Sequence, residues 1–312
     1  MNLVKLAVAS ALLVSATVSA MDARYQDRTG NLVADVPEDK SQWADPGTLI
    51  FAYTPVEDPA VYADVWSEFI TYLEKSTGKK VRFFPVQSNA AQIEAMRSGR
   101  LHIAGFNTGS TPLAVNCAGF SPFTMMAAKD GSFGYEMEII TYPGSGITKV
   151  EDLKGKSLAF TSQTSNSGFK APSAILASEY KMKPDVDFKP AFSGSHDNSI
   201  LGVANKDYDA AAVANSVLNR MLSREVVSKD QIVSIYKSQT FPTTAYGTAY
   251  NLAPELREKI EKAFYSFDWA GTKLEKEFKN SGEAKFIPIT YKEHWKVIRT
   301  IDTANNVSYT CS

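Results

Sequence analysis

Thr48-Leu49-Ile50-Phe51-Ala52-Tyr53 is a short apolar run between polar neighbours, the pattern of a buried strand. Val65, Phe69, Ile70 and Leu73 then recur at helical spacing, and Gly78 supplies a stop. Val81-Arg82-Phe83-Phe84 reads as the next strand, Ala90 to Ser98 as a helix halted by Gly99, and Leu101-His102-Ile103-Ala104 as another strand. Strands alternating with helices predict an α/β fold with mainly parallel sheets. The cadence returns further on. Ile200-Leu201-Gly202-Val203 and the turn Asn205-Lys206-Asp207 lead into the strand Tyr208-Asp209-Ala210-Ala211-Ala212-Val213. Both units end in polar pairs, Asn107-Thr108 and Asn215-Ser216, where ligands bind in open parallel sheets. Two such units predict two similar lobes whose strand ends face one cleft. One amphipathic helix is expected from Glu255 to Phe278, and a closing helix from Tyr291 to about Ala304.

The two ends of the chain read differently. Lys5 and the apolar stretch Leu6 to Val18, followed by Val18-Ser19-Ala20, have the order of a cleavable signal peptide over residues 1–20, with cleavage before Met21. The apolar run is shorter than the ~20 residues that span a bilayer. Residues 21–45 are polar without a period and read as an extended leader. Export places the two cysteines, Cys117 and Cys311, in an oxidising compartment. A disulfide between them would seat the C-terminal tail on the first lobe; two unrelated thiols are the alternative.

Composition narrows the function. Lys and Arg number 33 against 34 Asp and Glu, so the clustered positive charge that nucleic-acid binding requires is lacking. At 44% hydrophobic residues the chain is not a disordered one. Three histidines without ligand spacing predict no metal site, and no cofactor is implied. Neither Gly-Lys-Ser/Thr nor Gly-x-Ser-x-Gly occurs, which speaks against nucleotide hydrolysis and a serine triad; no catalytic residue is assigned.

The stretch Leu158 to Phe169 carries the chemistry. A strand runs into Thr161-Ser162-Gln163-Thr164-Ser165-Asn166-Ser167, and a helix is expected from Ser173 to Tyr180 with Pro172 in its first turn. Free N–H groups, the positive dipole end and small hydroxyl and amide donors together suit a tetrahedral oxyanion. A plain N-cap is the alternative reading. His196 lies in a loop opening a helix near Ser199, where it could donate to an anion and change charge near neutral pH. His102 and His294 read as structural or exposed.

These residues resemble a family. Asp130-Gly131-Ser132-Phe133-Gly134-Tyr135, then Ser165-Asn166-Ser167-Gly168-Phe169 with Pro172, then Gly194-Ser195-His196 and Val203-Ala204-Asn205-Lys206 are similar, in that order, to motifs of the phosphonate-binding proteins of bacterial ABC importers. The likeness runs from roughly Leu49 to Ile301. It implies a two-lobed periplasmic-binding-protein fold of type II, with residues 45–142 and 243–312 in the first lobe and 143–242 in the second. It further implies a periplasmic monomer that is not an enzyme and that hands its ligand to a membrane permease and its ATPase. The family's phosphonate contacts fall here on Ser165, Asn166 and Ser167, with Thr164 beside them, and on Tyr135 and His196. A family tyrosine is replaced by Asn89. Two family carboxylates that pair with an aminoalkyl ligand's ammonium become Ser216 and Thr244. A buried ammonium without a carboxylate is costly, so a compact phosphorus oxyanion (phosphite, methylphosphonate or phosphate) is expected rather than 2-aminoethylphosphonate. Tyr53, Phe106 or Tyr246 would supply an apolar wall. A sulfonate binder on the same fold is the runner-up, and a periplasmic phosphoester hydrolase a more distant one.

Overall fold

The computed structural model describes residues 21–311; the expected signal segment lies outside them. Among the described residues, eleven strands form two mixed sheets, with order β11-β4-β10-β3-β1-β2 in the first lobe and β7-β6-β8-β5-β9 in the second. The strands are β1 (Thr48–Ala52), β2 (Lys80–Phe83), β3 (Ile103–Phe106), β4 (Phe120–Ala127), β5 (Tyr135–Thr141), β6 (Ser157–Phe160), β7 (Lys189–Phe192), β8 (Ala210–Ala214), β9 (Val233–Phe241), β10 (Ala245–Ala249) and β11 (Lys285–Pro288). Parallel pairing holds β1 to β2 and β3, and β6 to β7 and β8. The sheets are less parallel than expected. Strands on either side of the crossings pair antiparallel: β10 with β3 and β4, β11 with β4, and β5 with β8 and β9.

Helices α1 (Pro59–Val65), α2 (Ser67–Thr77), α3 (Asn89–Arg97) and α4 (Thr111–Ala118) flank the first sheet before the crossing. The second lobe holds α5 (Ala171–Ser178), α6 (His196–Ala204) and α7 (Asn215–Ser223). Helices α8 (Pro254–Ser266), α9 (Lys273–Phe278), α10 (Tyr291–His294) and α11 (Lys296–Ala304) return to the first lobe. The single helix expected over 255–278 is two. Phe267 turns extended, Trp269 buries its ring 5.0 Å from Phe286, and Thr272 caps α9 by accepting the Glu275 N–H. Trp295 likewise separates α10 from α11.

The chain crosses between lobes earlier than residue 142. β5 already pairs with β8 in the second sheet, so the crossings fall at residues 128–134 and 242–244. The hydrophobic pattern cannot see this, because β5 is as buried as a first-lobe strand would be. Aromatic packing around Phe51, Trp66, Phe69, Tyr246, Phe264 and Phe286 fills the first lobe, while Ile140, Ala159, Ile200, Val203, Ala211 and Val213 form a smaller cluster in the second. The leader is mostly irregular, with Tyr25, Val33 and Ala34 buried. Cys117 and Cys311 form a disulfide that fastens the tail to α4.

Candidate functional site

The carboxyl ends of β6 and β8 and the loop after β7 open on the same side of the second lobe, because these three strands run parallel. After Phe160 the chain turns through residues 161–165 and enters a helical turn at Asn166–Lys170 that continues into α5. The helix thus begins seven residues before Ser173, its expected start. Ser165 is its extended N-cap, and its Oγ accepts the Gly168 N–H at 3.0 Å. Gly168 is required there: a Cβ would lie 1.9 Å from Thr161 Oγ1. His196 also opens its helix directly, following the extended Ser195, rather than preceding it in a loop.

Ser165, Asn166, Ser167, Tyr135, His196, Ser216, Tyr53 and Thr244 line one cavity of about 50 Å³ between the lobes. A water occupies ~10–15 Å³ by this measure, so the space suits a group of only a few heavy atoms. Asn89 and Thr164 do not reach it. The Asn89 amide donates to Thr164 Oγ1 at 2.9 Å across the cleft, and each satisfies the other instead of a ligand. Phe106 and Tyr246 are fully buried in the first-lobe core; of the three rings expected as an apolar wall, only Tyr53 lines the cavity.

Five polar groups converge from the second lobe. Asn166 Nδ2 lies 3.1 Å from the Tyr135 hydroxyl, while Asn166 Oδ1 is buried without a partner among the described residues. Because Tyr135 accepts from Asn166, the phenol's own hydrogen and the second Asn166 N–H are both left for a ligand. Burial raises the Tyr135 pKa against hydrogen bonds from Thr108, Asn166 and Ser167, which keeps the phenol protonated and able to donate. His196 Nδ1 accepts the Ala214 N–H at 3.2 Å, which places the ring proton on Nε2, 3.4 Å from Ser165 Oγ. Burial lowers its pKa to about 4, so His196 is a neutral donor at pH 7 and does not switch charge there. That corrects the expectation from sequence, which could not know how completely the ring is enclosed.

Two charged residues escaped the sequence reading. Arg220, one turn beyond Ser216 on α7, and Glu283, ahead of β11, both line the cavity. Asn107 and Thr108 do so too, as the polar end of β3 had signalled; Thr108 Oγ1 donates to Pro242 O at 2.7 Å and so ties the site to the second crossing. Nothing in the local pattern around Glu283 marks it, since the fold alone brings it to the cleft. Of the other histidines, His102 Nδ1 accepts the Ile50 N–H at 3.0 Å and His294 lies beside Phe133. Among the described residues, no group of three or more His, Cys, Asp or Glu is placed to hold a metal ion. No helix among them is long and apolar enough to cross a membrane.

The family described as "ABC transporter, phosphonate, periplasmic substrate-binding protein" matches residues 51–295. A phosphate-import protein, PhnD, of Mycolicibacterium smegmatis is 27% identical over 86% of each chain. A phosphonates-binding periplasmic protein of Escherichia coli is 29% identical over 65% of this chain and 61% of its own. Among solved structures, a binding component of an ABC phosphonate transporter from Pseudomonas aeruginosa superposes with a TM-score of 0.76 at 23% identity, covering 84% of this chain and 88% of the other. PhnD1 of Prochlorococcus marinus, solved with methylphosphonate, gives 0.73 at 17% identity over 84% and 100%. These likenesses carry the two-lobed α/β fold of type II binding proteins.

Proposed function

The chain belongs to the family of periplasmic substrate-binding proteins of phosphonate ABC transporters, and from that premise we propose that it captures a small phosphorus oxyanion and passes it, as a monomer, to an importer's permease and ATPase. The ligand sits at the start of the 166–178 helix. Export by the N-terminal signal and cleavage before Met21 belong to the same reading.

One observation carries the proposal: a cavity of about 50 Å³ between the lobes, where neutral donors from Ser165, Asn166, Ser167, Tyr135 and His196 converge. Donors held in a low-dielectric enclosure stabilise an anion without reorganising, so no surplus of positive charge is needed. That fits a chain whose formal net charge is −1. Phosphate, phosphite and methylphosphonate match the space. The aminoethyl arm of 2-aminoethylphosphonate does not, and Ser216 and Thr244, at the two positions where an ammonium partner is expected, are neutral.

Titration calorimetry tests the reading with phosphate, phosphite, methylphosphonate, 2-aminoethylphosphonate and sulfate. The first three bind at least tenfold tighter than the last two. Ser165→Ala and His196→Ala each lose about tenfold for every oxyanion, since a charge-assisted hydrogen bond is worth ~1.5–3 kcal/mol. Tightest binding of 2-aminoethylphosphonate, or unchanged affinities in both variants, would sink the proposal. Sulfate or a sulfonate matching phosphate would instead favour a sulfonate binder.

A further inference from the structure

The donors described so far hold any tetrahedral oxyanion alike. What separates phosphate from methylphosphonate or phosphite is the fourth substituent. It is an O–H in the phosphate dianion, a methyl group in one competitor and a P–H in the other. A hydrogen-bond acceptor in the wall would read that difference, and Glu283 is one. Its side chain is 7% exposed and borders the cavity. Ser281 Oγ donates to Oε2, while Oε1 accepts no hydrogen bond among the described residues. In a cavity of about 50 Å³, Glu283 and the oxyanion donors border one small space.

Burial pushes the Glu283 pKa above the usual carboxylate range, and the Coulomb attraction of Arg220, which lines the same cavity, together with the Ser281 hydrogen bond, pulls it only part of the way back; the mildly alkaline pH of the test below favours the ionised form. An ionised carboxylate facing a substituent without a donor hydrogen would be repelled by the neighbouring anionic oxygens. Facing P–O–H, it accepts a strong hydrogen bond. Glu283 also borders a second cavity of about 270 Å³ beside the first crossing, with Tyr135 shared between the two.

We infer that Glu283 is a specificity-determining residue: its free carboxylate oxygen accepts the O–H of hydrogenphosphate and disfavours phosphorus oxyanions bearing carbon or hydrogen at that position. This rests on the oxyanion reading above and narrows it to phosphate. Both competitors lose their last acidic proton at mildly alkaline pH, whereas the phosphate dianion keeps one. Affinities for phosphate, methylphosphonate and phosphite are therefore measured there for the wild-type chain, Glu283→Gln and Ser281→Ala.

Wild type is expected to bind phosphate at least tenfold tighter than either competitor. Glu283→Gln keeps an acceptor but removes the charge, and it should cut that preference about tenfold, mostly by improving methylphosphonate and phosphite. Ser281→Ala, which only loosens the carboxylate, should cut it about threefold and guards against misfolding of the first variant. The inference is overturned if wild type prefers methylphosphonate or phosphite. It is equally overturned if binding persists in both variants with the preference unmoved, or if 2-aminoethylphosphonate binds tightest and Glu283→Gln abolishes it. Failure of the wild-type chain to bind any of these anions would remove the oxyanion reading itself.

Discussion

Two buried ionic seams join the lobes, and they are built from different chemistry. In the first, Glu57, between β1 and α1, takes Arg220 Nη2 at 3.1 Å and Arg224 from the second lobe. Glu277 on α9 stands 3.6 Å from each guanidinium, and the Tyr62 hydroxyl donates to Glu57 at 2.6 Å. Burial pushes the Glu57 pKa up, but the two arginines and the Tyr62 hydrogen bond outweigh it and hold the carboxyl below its usual range. The second seam is a lone pair. Lys170 Nζ meets Asp302 at 2.9 Å and the Gly109 carbonyl at 2.8 Å. The tail adds Tyr309, whose hydroxyl donates to Asp302 at 2.7 Å, and the disulfide fixes the tail two residues later.

The difference concerns what happens when a partner is lost. Arginine cannot shed its proton inside a protein, so the first seam has no neutral fallback. Lysine can: burial already lowers the Lys170 pKa against the pull of Asp302. Buried pairs are weak evidence for stability, because desolvation cancels most of the attraction. In a protein whose lobes close as a hinge, such pairs would act differently, since their desolvation and attraction would both appear only when the lobes meet.

The largest effect is expected from Glu57→Ala. It leaves two guanidiniums with only the more distant Glu277, and breaking a buried pair in that way costs ~3–5 kcal/mol. Lys170→Met should cost only about 2 kcal/mol, because Asp302 keeps Tyr309, and Lys170→Met/Asp302→Leu should recover part of that. Urea unfolding with and without phosphate measures both. Equal losses from the two seams would erase the distinction, and losses independent of ligand would place the seams in both hinge states.

A comparable effect follows from pH on the side of the first seam, where His196 lies in the field of Glu57 and Arg220. The unfolded chain takes up a proton near pH 6.5, and the folded one only near pH 4. Between those values the unfolded state binds more protons, so stability is full above pH 6.5 and falls by about 3 kcal/mol as the pH drops to 4. His196→Asn should flatten that part of the profile. An unchanged slope would mean that His196 is not the group responsible.

Gly109→Ala sharpens the second seam with the smallest change. The backbone there is not left-handed, but a Cβ would stand 2.3 Å from Thr164 O and 2.4 Å from Asn166 N, both second-lobe backbone atoms. Overpacking of this kind costs ~1–3 kcal/mol. It should therefore weaken phosphate binding about tenfold to a hundredfold while leaving unfolding of the ligand-free protein unchanged. A binding constant equal to wild type would show that the lobes close without this contact.

Much of this was legible in the chain. Apolar periodicity predicted strands within a few residues of β1, β2, β3 and β8, and the run Ser165-Asn166-Ser167 announced a polar helix start because such residues serve almost no other purpose there. The two thiols had one possible pairing in an oxidising compartment, and they form it. Beyond such local or forced choices the sequence was silent. It did not show that the chain crosses before β5, that Asn89 and Thr164 satisfy each other, or that His196 is enclosed enough to stay neutral. Arg220 and Glu283 lie 63 residues apart in the chain and meet at the cavity only because two separately folded sheets face each other. Local pattern thus determined the elements and the kind of chemistry at the helix start. Tertiary structure alone decided which charges surround the ligand, since desolvation and Coulomb attraction depend on distances that close only when the lobes pack.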